Sequence, residues 1–300
     1  MEKKETVAVL LAAYNGEKWI DEQIQSILGQ RGIKVSIYIS LDLSSDRSLE
    51  ICKKYAETYE NIFLLPYGDR FGGAAPNFYR LIKDVDFSPY DFISFADQDD
   101  IWHEDKLSRA ARALNAGNFE FYSSNVTAFY EDGRECLIDK AQRQTEYDFL
   151  FESAGPGCTF VLKKAAALKL QKFIVENFNE INEICLHDWL IYSYARTFKY
   201  EWYIDPVPSM RYRQHANNQV GANNNLFSAI KRVKLVNSSW YRNEIIKIAK
   251  ALGNHNLTFF KRCFSNGYLG CLYLSINSYR ARRRLRDKWA LFVLSLLKII

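Results

Sequence analysis

The sequence predicts an α/β fold in which a mostly parallel β-sheet is covered by helices on both faces. Four apolar segments have the length and unbroken hydrophobicity of buried strands, and the stretches between them place apolar residues at helical spacing. Strands and helices that alternate with short connections are typical of parallel sheets. The strand segments are residues 6–14, 35–41, 61–65 and 91–96.

The first unit begins with Thr6–Tyr14, a continuous apolar run of the kind that parallel sheets bury on both faces. Asn15-Gly16 then indicates a turn. A helix is predicted from the apolar residues that recur between positions 19 and 28, and a glycine ends it.

Two similar units follow. Val35–Leu41 predicts the second strand, and the loop over residues 42–46 caps a helix over 48–59. After the third strand, a glycine-rich loop over residues 67–76 leads into another helix. Bare backbone amides in such a loop can hold phosphate oxygens, although a flexible connection is the equal alternative.

The fourth strand runs directly into three carboxylates, Asp97, Asp99 and Asp100. Like charges this close raise one another's pKa unless a cation lies among them, and a divalent cation with oxygen ligands would supply one. The alternative is a polar turn that caps a helix. We expect Asp100 to have that capping role, for a helix that starts near Trp102.

The second half of the chain continues the pattern. It predicts a strand within residues 119–130, a helix over 189–198 and a last strand and turn over 203–206. Beyond residue 221, helical periodicity over 226–278 is broken at 253–256 and 266–267, which indicates a small helical appendage.

Composition excludes several classes of protein. The net charge of +5 is matched by a local excess of +5 in residues 280–288, so the chain is not a general nucleic-acid binder. Its six cysteines show no CxxC pair or zinc-like spacing, which favours a reducing, cytoplasmic setting. We expect no signal peptide, because a short strand follows Glu5 directly, and no apolar run reaches the roughly 20 residues of a membrane-spanning helix.

The C-terminal segment has two interpretations. A basic cluster over residues 279–288 precedes the largely apolar Trp289–Ile300. A basic helix that leads into an apolar one is typical of a membrane-surface anchor. The alternative is a helix that packs on the core and exposes its arginines to solvent.

Ligands of parallel sheets bind beyond the carboxyl ends of the strands. Three polar loops, residues 13–16, 42–46 and 97–100, leave from those ends. A nucleotide site at this edge is therefore the first hypothesis.

Four motifs in order resemble the family 2 glycosyltransferases of GT-A fold, and the likeness is greatest to a rhamnosyltransferase-like branch. The resemblance covers about residues 5–222, so it implies a GT-A catalytic domain over 1–222 and a C-terminal helical region over 223–300. The motifs are Val9–Gly16, the DxD-like Asp97–Trp102, His187-Asp188-Trp189 and Tyr212–Asn218.

The resemblance implies a nucleotide-sugar site and assigns residues to it. Asp42 would contact the base or ribose and Asp97 the ribose, while the guanidinium of Arg213 would bind phosphate. The family's Asp-Asp-Gly loop has become Leu41-Asp42-Leu43 here, so we expect strain at Leu43 if its position needs the freedom of glycine. The full set is Ala13, Tyr14, Asn15, Glu17, Asp42, Gly73, Asn77, Asp97, Gln98 and Arg213.

The resemblance also implies a metal site and a general base. Asp99 and His215 would hold Mg²⁺ or Mn²⁺ at the donor diphosphate, and Asp188 would be the general base, with a helix N-cap as its alternative. We expect Cys158 to be a packing residue rather than a nucleophile. Residues near the sugar or acceptor would be Gly157, Cys158, Thr159, His187 and Trp189.

The function implied is inverting, metal-dependent transfer of one sugar per encounter, because the QxxRW motif of processive synthases does not follow Asp188. The first choice of donor is dTDP-rhamnose, and the acceptor would be a glycan or a polyprenyl-linked glycan at the cytoplasmic face of the plasma membrane. UDP-hexose or UDP-N-acetylhexosamine transfer, a catalytically silent nucleotide-binding subunit and a nucleotidyltransferase are the alternatives. The oligomeric state stays open, and a nucleic-acid partner is not expected.

Overall fold

Seven strands form a central sheet in a computed structural model of the protein, which describes residues 4–215 and 240–298. The strands of the chain are β1 (Thr6–Ala13), β2 (Lys34–Leu41), β3 (Ile62–Leu64), β4 (Phe92–Ala96), β5 (Ile101–Trp102), β6 (Phe121–Ser124), β7 (Val126–Tyr130), β8 (Glu135–Ile138), β9 (Val161–Lys163), β10 (Trp202–Asp205) and β11 (Met210–Gln214). The central sheet has the order β10-β6-β9-β4-β1-β2-β3. Only β9 is antiparallel to its neighbours in it, so the mostly parallel sheet is confirmed.

Helices cover both faces of this sheet. They are α1 (Ile20–Leu28), α2 (Ser48–Thr58), α3 (Ala74–Asp84), α4 (Lys106–Ala116), α5 (Lys164–Glu176), α6 (Phe178–Ile181), α7 (His187–Thr197), α8 (Trp240–Ala251), α9 (Thr258–Phe264), α10 (Gly267–Ile276), α11 (Ser278–Ala281) and α12 (Leu285–Leu296). The side chains of β1 alternate between two apolar cores. Ala8 and Leu10 pack with α3, α5 and α7, while Val9 and Leu11 pack with α1, α2 and α4. Burial on both faces explains why β1 is apolar throughout.

A smaller sheet has the order β5-β11-β7-β8. It corrects the prediction of one strand within residues 119–130, because that segment forms two strands in two different sheets. The chain bends at Asn125, whose side-chain amide donates to Asp139 Oδ1 and to the Pro206 carbonyl at 2.9 Å each.

The helix expected near Trp102 begins at Lys106 instead. Ile101 and Trp102 form β5, which pairs with the start of β11. Asp100 is therefore not a helix cap. Its carboxylate is fully buried and accepts the backbone N–H of Arg213 at 3.1 Å, so it joins the acidic loop to β11.

The C-terminal helices pack on the sheet domain, as the predicted helical appendage requires. Phe259 stacks on Tyr147 with ring centroids 3.9 Å apart, and the Tyr241 hydroxyl donates to the Phe151 carbonyl at 2.5 Å. Buried residues of α8 and α9 belong to the same apolar core as α3, α5 and α7. The expected domain boundary at 222 and the periodicities before residue 240 lie outside the described residues, and the division into two domains stays a prediction.

Within the described ranges, no helix is both long and apolar enough to cross a membrane.

Candidate active site

Three loops meet at one edge of the sheet, because β4, β1 and β2 are adjacent and parallel. The backbone N–H of Asn15 donates to Ser44 Oγ at 3.0 Å, and Asn15 Oδ1 accepts the N–H of Ser45 at 2.9 Å. Tyr14 in turn bonds to Gln98 of the acidic loop. The three loops therefore lie together at the carboxyl ends of the strands, as the sequence predicts.

Gln98 ties the first loop to the acidic loop. Its side-chain amide accepts the Tyr14 N–H and donates to the Tyr14 carbonyl, both at 2.8 Å. A Cβ on Gly16 would lie 2.3 Å from Gln98 Oε1, so the pairing needs glycine there. Asn15 adopts φ +46°, which asparagine tolerates better than most residues. The Gln98 amide is thus used within the protein, whereas the Tyr14 ring is 48% exposed at the edge of the site.

Asp42 has a structural role that the sequence did not suggest. Its nearly buried carboxylate accepts the backbone N–H groups of Leu43 at 2.7 Å, Phe71 at 2.9 Å and Gly72 at 3.0 Å. It therefore fixes the glycine-rich loop to the second loop. Leu43 has no positive φ and is partly exposed, so the expected strain at this position is absent.

Two other predicted donor-site residues, Glu17 and Asn77, also hold the loops together. Glu17 accepts the backbone N–H of Arg47 at 3.0 Å, at the start of α2. Asn77 is buried and its amide donates to the carbonyls of Ser40 and Ala13, at the ends of β2 and β1. Gly73 lies directly before α3. Their predicted contacts with a nucleotide sugar stay predictions.

The acidic loop is partly buried. One ligand atom each of Asp97, Asp100 and Cys158 lies within 4.8 Å of the other two. Burial, followed by the charge of Asp99, raises the pKa of Asp97 to about 7. Burial also raises the pKa of Asp100 well above its ordinary value. Carboxyl groups in such a setting favour a bound cation.

Lys106 lies beneath this loop and was missed by the sequence reasoning. It is fully buried, its ammonium donates to the Cys158 carbonyl at 2.6 Å, and it lies 3.0 Å from the centre of the Trp102 ring. Burial lowers its pKa well below the ordinary value. One signal was available, since a lysine in the first turn of a helix opposes the helix dipole.

Asp99 and His215 are brought together as the sequence predicted. Asp99 Oδ2 lies 2.6 Å from His215 Nε2, and the imidazole stacks on Trp19 at 4.2 Å. Arg213 donates through Nε to the Asp99 carbonyl at 2.8 Å and pairs with Glu22, so its guanidinium braces the loop. Carboxylate oxygen and imidazole nitrogen fit a divalent cation such as Mn²⁺, and the crowded carboxyl groups beside them would be relieved by one.

Asp188 lies in the first turn of α7 and not at its N-cap, which is Leu186. Its carboxylate accepts the N–H of Trp189 at 2.8 Å. Burial raises its pKa to about 6, against the lowering effects of that bond, of Ser153 and of Lys140. The charge of Asp188 in turn helps to raise the pKa of Asp97, so the two carboxyl groups lie close enough to interact.

Residues 157–159 lie close both to Asp188 and to the acidic loop. A Cβ on Gly157 would lie 2.3 Å from His187 Nε2 and 3.2 Å from Asp188 Cβ, so glycine permits this close approach. The next residue, Cys158, contacts the acidic loop. His187 packs on Phe78 at 4.0 Å, and burial lowers its pKa to about 3, so its ring is neutral.

Three residues expected near the sugar or acceptor have buried side chains. The Thr159 hydroxyl donates to the Pro156 carbonyl at 2.7 Å, and the Trp189 indole donates to the Phe149 carbonyl at 2.8 Å. Cys158 is fully buried, and burial raises the pKa of its thiol well above the ordinary value. These side chains therefore support the site from within instead of lining it, and Cys158 is a packing residue as expected.

Comparison with known proteins finds a matching family model and a relative that aligns over nearly the whole chain. A family model for glycosyl transferase family 2 matches residues 8–169. Over 290 residues, 96% of this chain and 100% of the relative, the sequence is 49% identical to the dTDP-rhamnosyl transferase RfbG of Shigella flexneri.

Solved structures are similar over almost the whole chain. S. aureus TarS 1-349 aligns with TM-score 0.57 and 15% identity, over 98% of this chain and 81% of that one. The mannosyltransferase PcManGT from Pyrobaculum calidifontis, in complex with GDP-Man and Mn²⁺, aligns with TM-score 0.54 and 13% identity, over 100% and 82%. At these identities the similarity concerns the fold, and the expected GT-A fold is confirmed.

Proposed function

Because this chain belongs to glycosyl transferase family 2 and is therefore a glycosyltransferase, we propose that it transfers L-rhamnose from dTDP-rhamnose. The acceptor that we propose is a glycan or a polyprenyl-linked glycan in cell-surface polysaccharide synthesis. The 49% identity to a dTDP-rhamnosyl transferase supports the donor. One observation carries the chemistry: the adjacent residues Gly157 and Cys158 lie close to Asp188 and to the acidic loop, respectively.

The acidic loop would bind the donor. Asp99 and His215 would hold Mg²⁺ or Mn²⁺, with Asp97 beside them, and Tyr14 offers an exposed ring to the base or sugar. A divalent cation bound there would neutralise charge on the departing nucleoside diphosphate. Arg213 and Gln98 keep the loop in place, because Arg213 bonds to the Asp99 carbonyl within the loop and Gln98 joins the loop to the Tyr14 carbonyl.

Asp188 would accept the proton of the acceptor hydroxyl. A general base works best when its pKa lies near the working pH, and burial brings that of Asp188 to about 6. The carboxylate is thus ionised at neutral pH and more basic than an ordinary aspartate. The hydroxyl oxygen would attack the anomeric carbon opposite the leaving diphosphate, which inverts its configuration.

Titration calorimetry of dTDP and UDP, with Mn²⁺ or with EDTA, tests the donor site. We expect metal-dependent binding that favours dTDP and is lost in Asp99→Asn, because one ligand becomes a neutral amide. Asp86→Asn, at an exposed turn before β4 and so at the opposite edge of the sheet, is the matched control.

The same experiment separates the alternatives. Tighter binding of UDP would favour UDP-hexose or UDP-N-acetylhexosamine as donor. Binding of dTDP without transfer of radiolabelled rhamnose to lipid in native membranes would favour a catalytically silent subunit. Absence of binding by either nucleotide with Mn²⁺ would contradict the donor site.

We also propose that the protein works at the cytoplasmic face of the membrane, through the C-terminal helices. Helices α10 and α12 are in contact and both expose large apolar side chains, a set that we call the α10–α12 face. It consists of Leu269, Ile276, Leu285, Trp289, Val293 and Leu296. The exposed cations Arg286 and Lys298 lie on α12 and just beyond it, and a combination of apolar and cationic side chains suits an anionic bilayer.

The basic cluster does not act as one surface. Arg283 is buried, and Arg282 pairs with Glu152 at 3.9 Å in the interior. Packing therefore accounts for these two arginines, and the membrane proposal rests on the α10–α12 face and its neighbouring cations.

A further inference from the structure

Arg283 connects the C-terminal region to a loop beside Asp188. Its side chain has no exposed surface. Its guanidinium pairs with Asp148 Oδ2 at 3.0 Å and donates to the Ser153 carbonyl at 2.6 Å, while its backbone N–H donates to Glu152 Oε1 at 2.7 Å. Arg283 thereby fixes residues 148–153 from outside the sheet domain.

Asp148 is itself fully held. Its carboxylate accepts bonds from the Tyr192 hydroxyl and from Arg196, both at 2.8 Å and both on α7. Asp148 and Arg283 therefore form a buried ion pair anchored to the helix that carries Asp188. Such a pair is weak evidence for added stability, because desolvation of the two charges offsets their attraction. The planar fork of arginine is, however, well suited to fixing two acceptors in one geometry.

Ser153 continues the connection towards the site. Its hydroxyl donates to the Gly155 carbonyl at 2.9 Å, and Ser153 also lies close enough to Asp188 to lower the pKa of that carboxylate. The carbonyl of the same residue is the one that Arg283 holds.

Other groups also face Asp188. Lys140 lowers its pKa, and Lys140 Nζ lies 4.0 Å from the same Glu152 that accepts the Arg283 N–H. Asp97 and Tyr79 both interact electrostatically with Asp188. The neighbouring His187 is neutral. Residues 148–153, which Arg283 holds, also bond to α7, through Asp148 and through the Phe149 carbonyl, which accepts the indole N–H of Trp189 beside Asp188.

We propose that Arg283 is a positioning residue for sugar transfer, which holds residues 148–153 against α7 and thereby sets the orientation of the Asp188 carboxylate. This inference rests on the proposed role of Asp188 as general base. It makes the C-terminal region part of the catalytic apparatus, in addition to any role at a membrane.

The test compares Arg283→Lys, Ser153→Ala and the control Arg280→Lys. Lysine keeps the charge opposite Asp148 but loses the fork that also reaches Ser153. Arg280 lies in the same C-terminal segment, but its guanidinium pairs with Glu146 in a partly exposed position and bonds to neither Asp148 nor Ser153. Transfer is measured relative to wild type with whichever sugar nucleotide the titration selects, so an error in the donor sugar does not affect the result.

We expect kcat to fall about 10- to 100-fold in Arg283→Lys, the loss expected from a small misplacement of a catalytic group. Ser153→Ala should lower kcat in the same direction, while KM for the donor and the Kd of dTDP stay within about twofold in both variants. The double variant should be no slower than the slower single variant, because both act through one path. Arg280→Lys should keep the wild-type kcat.

Two results would overturn the inference. One is wild-type kcat in a folded Arg283→Lys or, if that variant does not fold, in Ser153→Ala. The other is a parallel loss of kcat, dTDP affinity and melting temperature, which would indicate a purely structural role. Failure of the proposed base is distinguished by Asp188→Asn, which in that case would transfer sugar at the wild-type rate.

Discussion

Burial is what separates Asp188 and Asp97 from ordinary surface aspartates. It raises their pKa values to about 6 and about 7, and in Asp97 the neighbouring charge of Asp99 adds to the effect. A free aspartate has a pKa of about 3.9, and a carboxyl group with a raised pKa takes up its proton at a higher pH than that. The pH at which activity is lost therefore reports on the environment of these side chains.

Transfer should decline as the pH falls through about 6, because Asp188 then becomes protonated and no longer accepts a proton. Asp188→Asn should lower kcat by about 10²- to 10⁴-fold at neutral pH and leave dTDP binding unchanged. A pH–rate profile at saturating donor, with dTDP titrations at each pH, makes the measurement. An acidic limb near pH 4 would show that the base is an unperturbed carboxylate.

Among the elements, the buried strands were the most predictable, because the apolar runs of β1, β2 and β4 depend only on local sequence. The bend at Asn125 was not predictable, since its partners Asp139 and Pro206 are distant in the chain. The same holds for Asp100, which sequence reasoning placed at a helix cap. A charged residue becomes buried only when remote segments supply its partners.

The four motifs did predict the family and the group of loops at the sheet edge. They identified Asp99 with His215, which lie together. They could not tell a side chain that binds a ligand from one that holds the loops, because both require polar residues at the same place. Asp42, Asn77 and Gln98 were assigned to the ligand, and each proves to be engaged with backbone groups.

Gly16→Ala should disturb the junction of the first loop and the acidic loop, because its methyl group would lie 2.3 Å from Gln98 Oε1. Overpacking of this kind costs about 1–3 kcal/mol, so the melting temperature and the dTDP affinity should both fall. The obstacle is the end of one flexible side chain. Gly16→Ala in a Gln98→Ala background should therefore cost less than Gly16→Ala alone.

Urea unfolding of the four proteins of this cycle, with dTDP titrations of each, provides the measurement. Equal costs in the two backgrounds would mean that Gln98 is not the residue that glycine accommodates.

At the scale of the whole molecule, one apolar core joins the C-terminal helices to the sheet domain. The α10–α12 face lies outside this core, and its Leu285 and Trp289 are 72% and 62% exposed. The same helices thus have two surfaces, one that contributes side chains such as Leu274 and Leu291 to that core and one that is exposed.

Sedimentation with vesicles tests the proposed occupant of this face. We expect binding to vesicles that contain anionic phospholipid and weaker binding to neutral ones, because Arg286 and Lys298 add electrostatic attraction. Trp289→Ser should reduce the binding at least several-fold, since it removes apolar area. Leu137→Ser, at an exposed leucine of β8, is the matched control. Equal binding by Trp289→Ser and wild type would exclude this face as the contact.

The Asn15-Gly16 turn also bears on the chemical ageing of the protein. Asparagine before glycine deamidates readily, because the unhindered glycine nitrogen attacks the side-chain amide carbon, ammonia leaves, and the resulting succinimide ring is opened by water to aspartate or isoaspartate. Here the Gly16 N–H is donated to Ser48 Oγ at 2.7 Å, and Asn15 Oδ1 is held by the Ser45 N–H at 2.9 Å. The attacking atom and its target are each restrained by a neighbouring loop, so ring closure requires the turn to open. Conversion of Asn15 to aspartate would therefore accumulate only in molecules in which this turn has opened, so its extent would measure how long that edge of the sheet has been unfolded.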